Sequence, residues 1–148
     1  MDFTFESYQF ATPFYALSVA LRDQILRVPL GLTFTEDQLS EEFDHYHLGA
    51  FDQAGNLCAC LVLIPLKDSS IKMRQVAVIE ALQSQGLGTQ LVKFAEEFAR
   101  DSGYREVVLN ARIEAVSFYK KMNYYIVGDE FVEVGIPHYR MEKNLVTI

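Results

Sequence analysis

Apolar and polar residues alternate over Phe3-Thr4-Phe5-Glu6-Ser7-Tyr8, which predicts an opening strand. From Ala11 to Val28 the period lengthens. Leu17, Leu21, Ile25 and Val28 make one helical stripe, with Thr12 as the cap and Pro13 at the first position. Pro29, Gly31 and Thr33 break that pattern, and the acidic stretch Thr35 to Phe43 reads as a short helix or an ordered loop. Two apolar runs, His47 to Phe51 and Leu57 to Leu66, flank Asp52-Gln53-Ala54-Gly55-Asn56 and predict a hairpin. After a turn at Lys67-Asp68-Ser69-Ser70, a third strand over Ile71 to Val78 completes an antiparallel meander.

Beyond Gly88 the pattern is helical again. Leu87, Leu91, Phe94, Ala95, Phe98 and Ala99 recur at spacings of three and four, and Gly103 is placed to cap the C-terminus. Arg105 to Asn110 is a short buried strand, and Ala115 to Met122 a helix that Asn123 can end in the left-handed conformation. Tyr125 to Val134 and His138 to Glu142 are the last strands, joined at Gly135-Ile136-Pro137. A meander followed by strand–helix alternation predicts an α/β fold, a mixed sheet with helices on both faces. Neither a repeat nor a linker interrupts the 148 residues, so a single domain over 1–148 is expected.

Composition narrows the function. The net charge of −7 lacks the basic footprint of a nucleic-acid binder, and an acidic surface suits an amine better than an anion. No apolar run approaches the roughly 20 residues of a membrane span. The first residues lack the basic and apolar regions of a signal peptide, so a cytoplasmic protein is expected. Cys58 and Cys60, two apart in a strand, share one face and read as core fillers. His45 and His47 also share a face but have no third ligand, so no metal site is expected. His47, on an inner strand, reads as a core histidine.

The chemistry concentrates where Val76-Ala77-Val78 runs into Gln83-Ser84-Gln85-Gly86-Leu87-Gly88 and a helix begins. A strand, a glycine-rich turn and a helix N-terminus aim unpartnered N–H groups at one point, a site for phosphate. A nucleotide P-loop needs Lys and Ser/Thr after its last glycine, but Gly88 is followed by Thr89-Gln90. A dinucleotide motif needs a third glycine where Leu91 stands. Gln83-x-x-Gly86-x-Gly88 instead matches the Q/R-x-x-G-x-G/A signature of the GCN5-related N-acetyltransferases, the GNAT superfamily. Ala115-Val116-Ser117-Phe118-Tyr119-Lys120-Lys121-Met122-Asn123-Tyr124 resembles that superfamily's A-x-x-F-Y-x-K-x-G-F segment. Glu80-Ala81-Leu82 and Gly135-Ile136-Pro137-His138 are similar to its ElaA-like subgroup. Two positions depart from the pattern. Arg112 stands where many relatives have Asn, and Asn123-Tyr124 replaces Gly-Phe.

The resemblance implies the acyl-CoA N-acyltransferase fold, with a mixed, mostly antiparallel sheet, splayed central strands and flanking helices. It implies acetyl-CoA as co-substrate. The backbone of Val76, Ala77 and Val78 would pair with the pantetheine arm, and the N–H groups from Gln83 through Ser84, Gln85, Gly86, Leu87, Gly88 and Thr89 would hold the pyrophosphate. Asn110 is an alternative to Arg112 for the pantetheine side. Lys120, Lys121 and Arg112 are candidates for the 3′-phosphate end. The Val78 N–H would stabilise the oxyanion, and Tyr119 would protonate the departing thiolate, with Phe118 better suited to packing. His138, Glu80 or a water chain would deprotonate the attacking amine. Arg22 and Arg27 are candidates to bind an acceptor carboxylate or phosphate, while Glu36, Asp37, Glu41, Glu42 and Asp44 would attract a cationic acceptor. A small-molecule amine is the first acceptor reading. A protein lysine or N-terminus and a non-catalytic acyl-CoA sensor stay open beside it. Relatives are often homodimers, which suggests the strands from Tyr125 to Glu142 as an edge for a partner.

Overall fold

The computed structural model describes residues 2–145, so the outermost positions of the expected 1–148 domain lie outside it. The chain forms two compact units, Met1–Ile64 with Gln75–Ala95, and Pro65–Arg74 with Glu96–Ile148. Strand β4 (Ser70–Val78) and helix α3 (Leu87–Asp101) each contribute to both.

In the first unit, β1 (Thr4–Tyr8), β2 (Tyr46–Phe51) and β3 (Leu57–Pro65) pair antiparallel in that order, and the second half of β4 follows β3. β3 is buried on both faces from Cys58 to Val62, which explains a continuous apolar run rather than an alternating one. A Cβ on Gly49 would lie 2.7 Å from Leu57 Cδ1 and 3.0 Å from the Tyr8 ring, so a side chain there would require its neighbours to shift. Helix α1 (Pro13–Arg22) begins as its sequence predicts: the Thr12 hydroxyl accepts the Tyr15 N–H at 3.3 Å, and Pro13 follows the cap. It ends at Arg22, six residues before the expected Val28. Asp23–Arg27 widen into a π-helical turn and Val28–Leu30 tighten into a 3₁₀ turn. The apolar stripe matches the buried face only in part, since Leu21 is in the core with Ile25 packed against it. Leu17 and Val28 are half exposed, while Tyr15, Ser18, Leu21 and Arg22 face inward. Apolar periodicity cannot register a helix that buries a guanidinium against a partner. The acidic stretch forms α2 (Glu36–Ser40), capped reciprocally by Thr35 and Gln38, and a 3₁₀ turn over Glu41–Asp44.

In the second unit, β4 pairs parallel with β5 (Glu106–Arg112) from Ser70 to Lys72, and β5 pairs antiparallel with β8 (Ile136–Asn144). The segment read as one strand from Tyr125 to Val134 is two, β6 (Tyr125–Ile126) and β7 (Phe131–Glu133), each on a different stretch of β8. Gly128, at φ 87°, lies between them. The turn that follows sits at Val134 and Gly135, so Ile136 and Pro137 already belong to β8. Gly103 (φ 94°) ends α3, and Asn123 (φ 72°) follows helix α4 (Val116–Lys121), both as predicted. Glu96 of α3 is buried with both oxygens used. Tyr124 Oη donates to one at 2.8 Å and Lys143 Nζ to the other at 2.9 Å.

Candidate active site

The first unit carries the strand end and the glycine turn. Ala77 is buried against Leu21 and Cys60, so the side chains of Val76 and Val78 fall on the opposite face of β4. The turn takes positive φ at Ser84 (63°) and Gly86 (88°), and Gln83 to Gly86 are exposed. No atom lies within 4 Å of a Cβ built on Gly86, so its glycine answers the backbone angle and leaves open space above the turn. Helix α3 starts directly after it. The Gln90 N–H returns to the Gly86 carbonyl at 3.1 Å, so the earlier N–H groups of Leu87, Gly88 and Thr89 lie in the unpartnered first turn, at the positive end of the helix dipole. Leu87 is buried and anchors this start. Two turn side chains fasten the turn itself: Gln83 Nε2 donates to the Val78 carbonyl at 3.0 Å, and Gln85 Nε2 to the Ala81 carbonyl at 3.1 Å. Glu80 is exposed in the 3₁₀ turn Glu80–Leu82.

Arg22 departs from its expected role. It is fully buried, and its guanidinium forks onto Glu42, Nη1 to Oε2 and Nη2 to Oε1, each at 2.9 Å. Tyr15 Oη donates to the same carboxylate at 2.8 Å. Burial opposes the charge on Glu42, yet the bonds and charge of Arg22 outweigh it and hold the carboxyl below its ordinary value. Neither Arg22 nor Glu42 is therefore available to an acceptor. Arg27 stacks on the Phe34 ring at 4.7 Å.

Arg22 Nη1 also donates to Gln75 Oε1 at 2.6 Å. Gln75 sits within β4 at φ 56°, a conformation that costs a non-glycine residue about 1–2 kcal/mol. A hydrogen bond to a charged group contributes about 1.5–3 kcal/mol, enough to offset that cost. Nothing in the sequence marks Gln75, because strand patterning carries no signal for a positive φ. Behind this network His47 is buried as expected. Its Nε2 faces the Glu42 carbonyl at 3.0 Å, so that nitrogen carries the proton, and Nδ1 is buried without a partner. Burial first, and the nearby Arg22 charge, keep His47 below its ordinary value.

The second unit carries Tyr119. Its side chain is buried on α4, edge-on to Phe118 at 5.0 Å and to Tyr124 at 5.5 Å, and its hydroxyl bonds to no described residue. Burial alone pushes the phenol up to about 12. Phe118 is the more exposed of the two rings. Lys120 and Lys121 are exposed at the end of α4. Arg112 ends β5 opposite His138 in the register.

His138 is buried, stacked at 5.9 Å on Phe131. A carbonyl can only accept, so Nδ1, 2.7 Å from the Ile136 oxygen, bears the proton. Nε2 is then the atom that takes up or releases a proton, and it faces Glu133 Oε2 at 3.6 Å. Asn110 Nδ2 donates to the other oxygen of Glu133 at 3.4 Å, so it is engaged within this cluster. The sequence does not single out Glu133, because the turn it suggests, Gly135-Ile136-Pro137, is displaced from the observed one at Val134 and Gly135, which sets the register of β7 on β8.

With this geometry in hand, the fold and glycine turn define an acyl-CoA N-acyltransferase fold. The model of the acetyltransferase (GNAT) domain family matches residues 22–145. The uncharacterized N-acetyltransferase YjcF of Bacillus subtilis is 38% identical over 80 residues, which cover 53% of this chain and 57% of YjcF. In that match the chain spans little more than half the length of its relative. The crystal structure of Escherichia coli ElaA superposes with a TM-score of 0.82 at 18% identity, covering 96% of this chain and 99% of ElaA. A GNAT acetyltransferase from Elizabethkingia anophelis with acetyl-CoA bound superposes with a TM-score of 0.74 at 18% identity, covering 96% and 97%. The chain belongs to the GNAT family of N-acetyltransferases, whose co-substrate is acetyl-CoA.

Proposed function

We propose that this chain, acting as one catalytic domain, moves the acetyl group of acetyl-CoA to the primary amine of a small molecule by direct attack on the thioester. The observation that carries the reading is Tyr119, a buried phenol with no hydrogen-bond partner among the described residues, on the segment that resembles the family's tyrosine motif. A phenol raised to about 12 stays protonated at neutral pH and serves as donor rather than base. The amine nitrogen attacks the carbonyl carbon, the C–N bond forms, and the tetrahedral oxyanion is stabilised by the Val78 N–H. As the C–S bond breaks, Tyr119 gives its proton to the thiolate. His138 Nε2 takes the proton that the amine loses, and Glu133 stabilises the imidazolium that results.

The coenzyme is held by the backbone of Val76, Ala77 and Val78 and by the turn from Gln83 to Thr89, with Lys121 and Arg112 toward its 3′-phosphate. Since the Val78 carbonyl already accepts from Gln83, Val78 contributes its N–H. With Arg22 neutralised internally, the exposed charges of the acceptor-side segment are mostly Glu36, Asp37, Glu41 and Asp44, which favours an amine carrying further positive charge. Among the described residues no helix is long and apolar enough to cross a membrane. Cys58 and Cys60 are unpaired, which accords with a cytoplasmic setting. The test is thiol release from acetyl-CoA across polyamines, amino sugars, amino acids, aminoglycosides and lysine peptides. Turnover confined to small polycationic amines supports the reading. Turnover on lysine peptides alone overturns the acceptor class, and coenzyme A binding without turnover on any amine leaves a sensor.

A further inference from the structure

We infer that Arg22 is a positioning residue for the coenzyme arm, acting through Gln75. The inference rests on the reading that Val76 to Val78 hold pantetheine. A hydrogen-bonding edge works only if successive N–H and C=O groups point along the right line. The rotation that aims Val76 to Val78 is set by the residue just before them. That residue is Gln75, at φ 56°.

An L-residue relaxes from this angle to an extended one unless something holds it. Arg22 is that hold. Its Nη1 reaches Gln75 Oε1 at 2.6 Å, and its Nε donates to the Ser18 carbonyl at 3.3 Å. Its two terminal nitrogens are fixed by Glu42, and its guanidinium lies 5.1 Å from the Phe34 ring and 5.8 Å from the Tyr15 ring. With none of the residue exposed and every nitrogen of the fork engaged, the guanidinium has no alternative position. It therefore holds Gln75 from a rigid base, as a mobile surface arginine could not. The device also links the segment that carries Glu42 to the strand that presents the coenzyme.

The test separates the backbone angle from the side chain. Coenzyme A is titrated calorimetrically into the wild-type protein and into Gln75→Met, Gln75→Glu and Gln75→Gly, with a melting curve for each. Gln75→Met and Gln75→Gly keep the Arg22–Glu42 pair neutral, whereas Gln75→Glu sets a second carboxylate on the same guanidinium. Gln75→Met removes the acceptor oxygen at nearly constant volume and is expected to weaken coenzyme A binding at least tenfold. Gln75→Glu keeps an acceptor oxygen and should bind within threefold of wild type. Gln75→Gly loses the Arg22 bond, so its melting temperature falls, but glycine adopts positive φ freely and should also bind within threefold. A part that is merely structural would move affinity with melting temperature and would not rescue glycine. Gln75→Met binding as tightly as wild type, or Gln75→Gly binding as weakly as Gln75→Met, overturns the inference. Wild-type protein that does not bind coenzyme A overturns the functional reading beneath it.

Discussion

Tyr15 in the first unit and Tyr119 in the second are both buried, and both phenols are pushed up to about 12. The causes differ. For Tyr15, burial acts together with a hydrogen bond to the Glu42 carboxylate, whereas for Tyr119 burial acts alone. One hydroxyl is spent on holding a structure together, and the other is spent on nothing within the described protein. The comparison teaches that a perturbed group becomes a candidate for chemistry through what its polar atom lacks, more than through the size of the shift. The same contrast runs through the charges. The first unit buries a fully paired Arg22–Glu42 fork, while in the second the buried His138 faces the half-exposed Glu133 at 3.6 Å.

The sharpest way to break this contrast is to remove the buried fork. Arg22→Met strands Glu42 in the interior, and loss of one partner of a buried pair typically costs about 3–5 kcal/mol. Urea unfolding should show a destabilisation of that order. Arg22→Met with Glu42→Leu should recover most of it, because the stranded charge rather than the missing attraction is what costs. A single variant within 1 kcal/mol of wild type would mean that water reaches Glu42, and the first unit would not differ from the second as argued.

The second test inverts the first. Tyr119→Phe removes a hydroxyl without a partner among the described residues, so melting should hold or rise slightly. Turnover should fall about a hundredfold, within the range of general acid–base catalysis. Coenzyme A affinity should stay within twofold. Tyr15→Phe should do the opposite, costing about 1 kcal/mol of stability with turnover retained per folded molecule. If both variants lose activity alike, the distinction between a spent and an idle hydroxyl fails.

The legible parts of this protein were those with local causes. Thr12-Pro13 started a helix, Gly103 and Asn123 stopped two others, and the glycine turn fell between strand and helix as its spacing indicated. Tyr119 was singled out through resemblance, and the structure buries it on α4. The illegible parts have partners distant in sequence. Gln75 meets Arg22 across 53 positions, and Glu42 meets it across 20. Periodicity therefore found Leu21 and Ile25 but not the buried Arg22, whose charge suggested a role toward a substrate. Glu133 was hidden for a different reason. Its approach to His138 depends on the register of β7 on β8, set by a turn at Val134 and Gly135 rather than at the expected Gly135-Ile136-Pro137.

Glu133→Gln tests whether the half-exposed carboxylate serves the chemistry. It should lower turnover about tenfold, less than Tyr119→Phe, because a neighbour that stabilises a charge contributes less than the group transferring the proton. Coenzyme A affinity and melting should be unchanged. A Gln variant with full turnover would assign Glu133 to the surface of the hairpin and remove it from the proton path.

The smallest effects are in pH, and they carry the comparison to its end. A phenol raised in the folded state binds its proton more tightly there than when unfolded. Its contribution is complete below pH 10 and is lost as pH rises toward 12. Tyr15→Phe and Tyr119→Phe should each flatten this alkaline loss to a similar degree, although only Tyr119→Phe lowers turnover about a hundredfold. On the acid side the two units part. His47 and Glu42, both lowered, lie in the first unit. A group lowered in the folded state contributes fully above its unfolded value and loses that contribution as pH falls through the folded one. Stability should therefore decline below about pH 6.5, where the unfolded chain begins to bind a proton at His47, and again below about 4.5, where it does so at Glu42. His47→Gln should remove the first decline and leave the second. Hydrogen exchange followed from pH 7 to 5 should show Leu48 to Phe51 of β2 loosening while β5 holds. Loosening of β5 in step with β2 would mean that the acid response belongs to the whole chain, not to the unit that buries its charge.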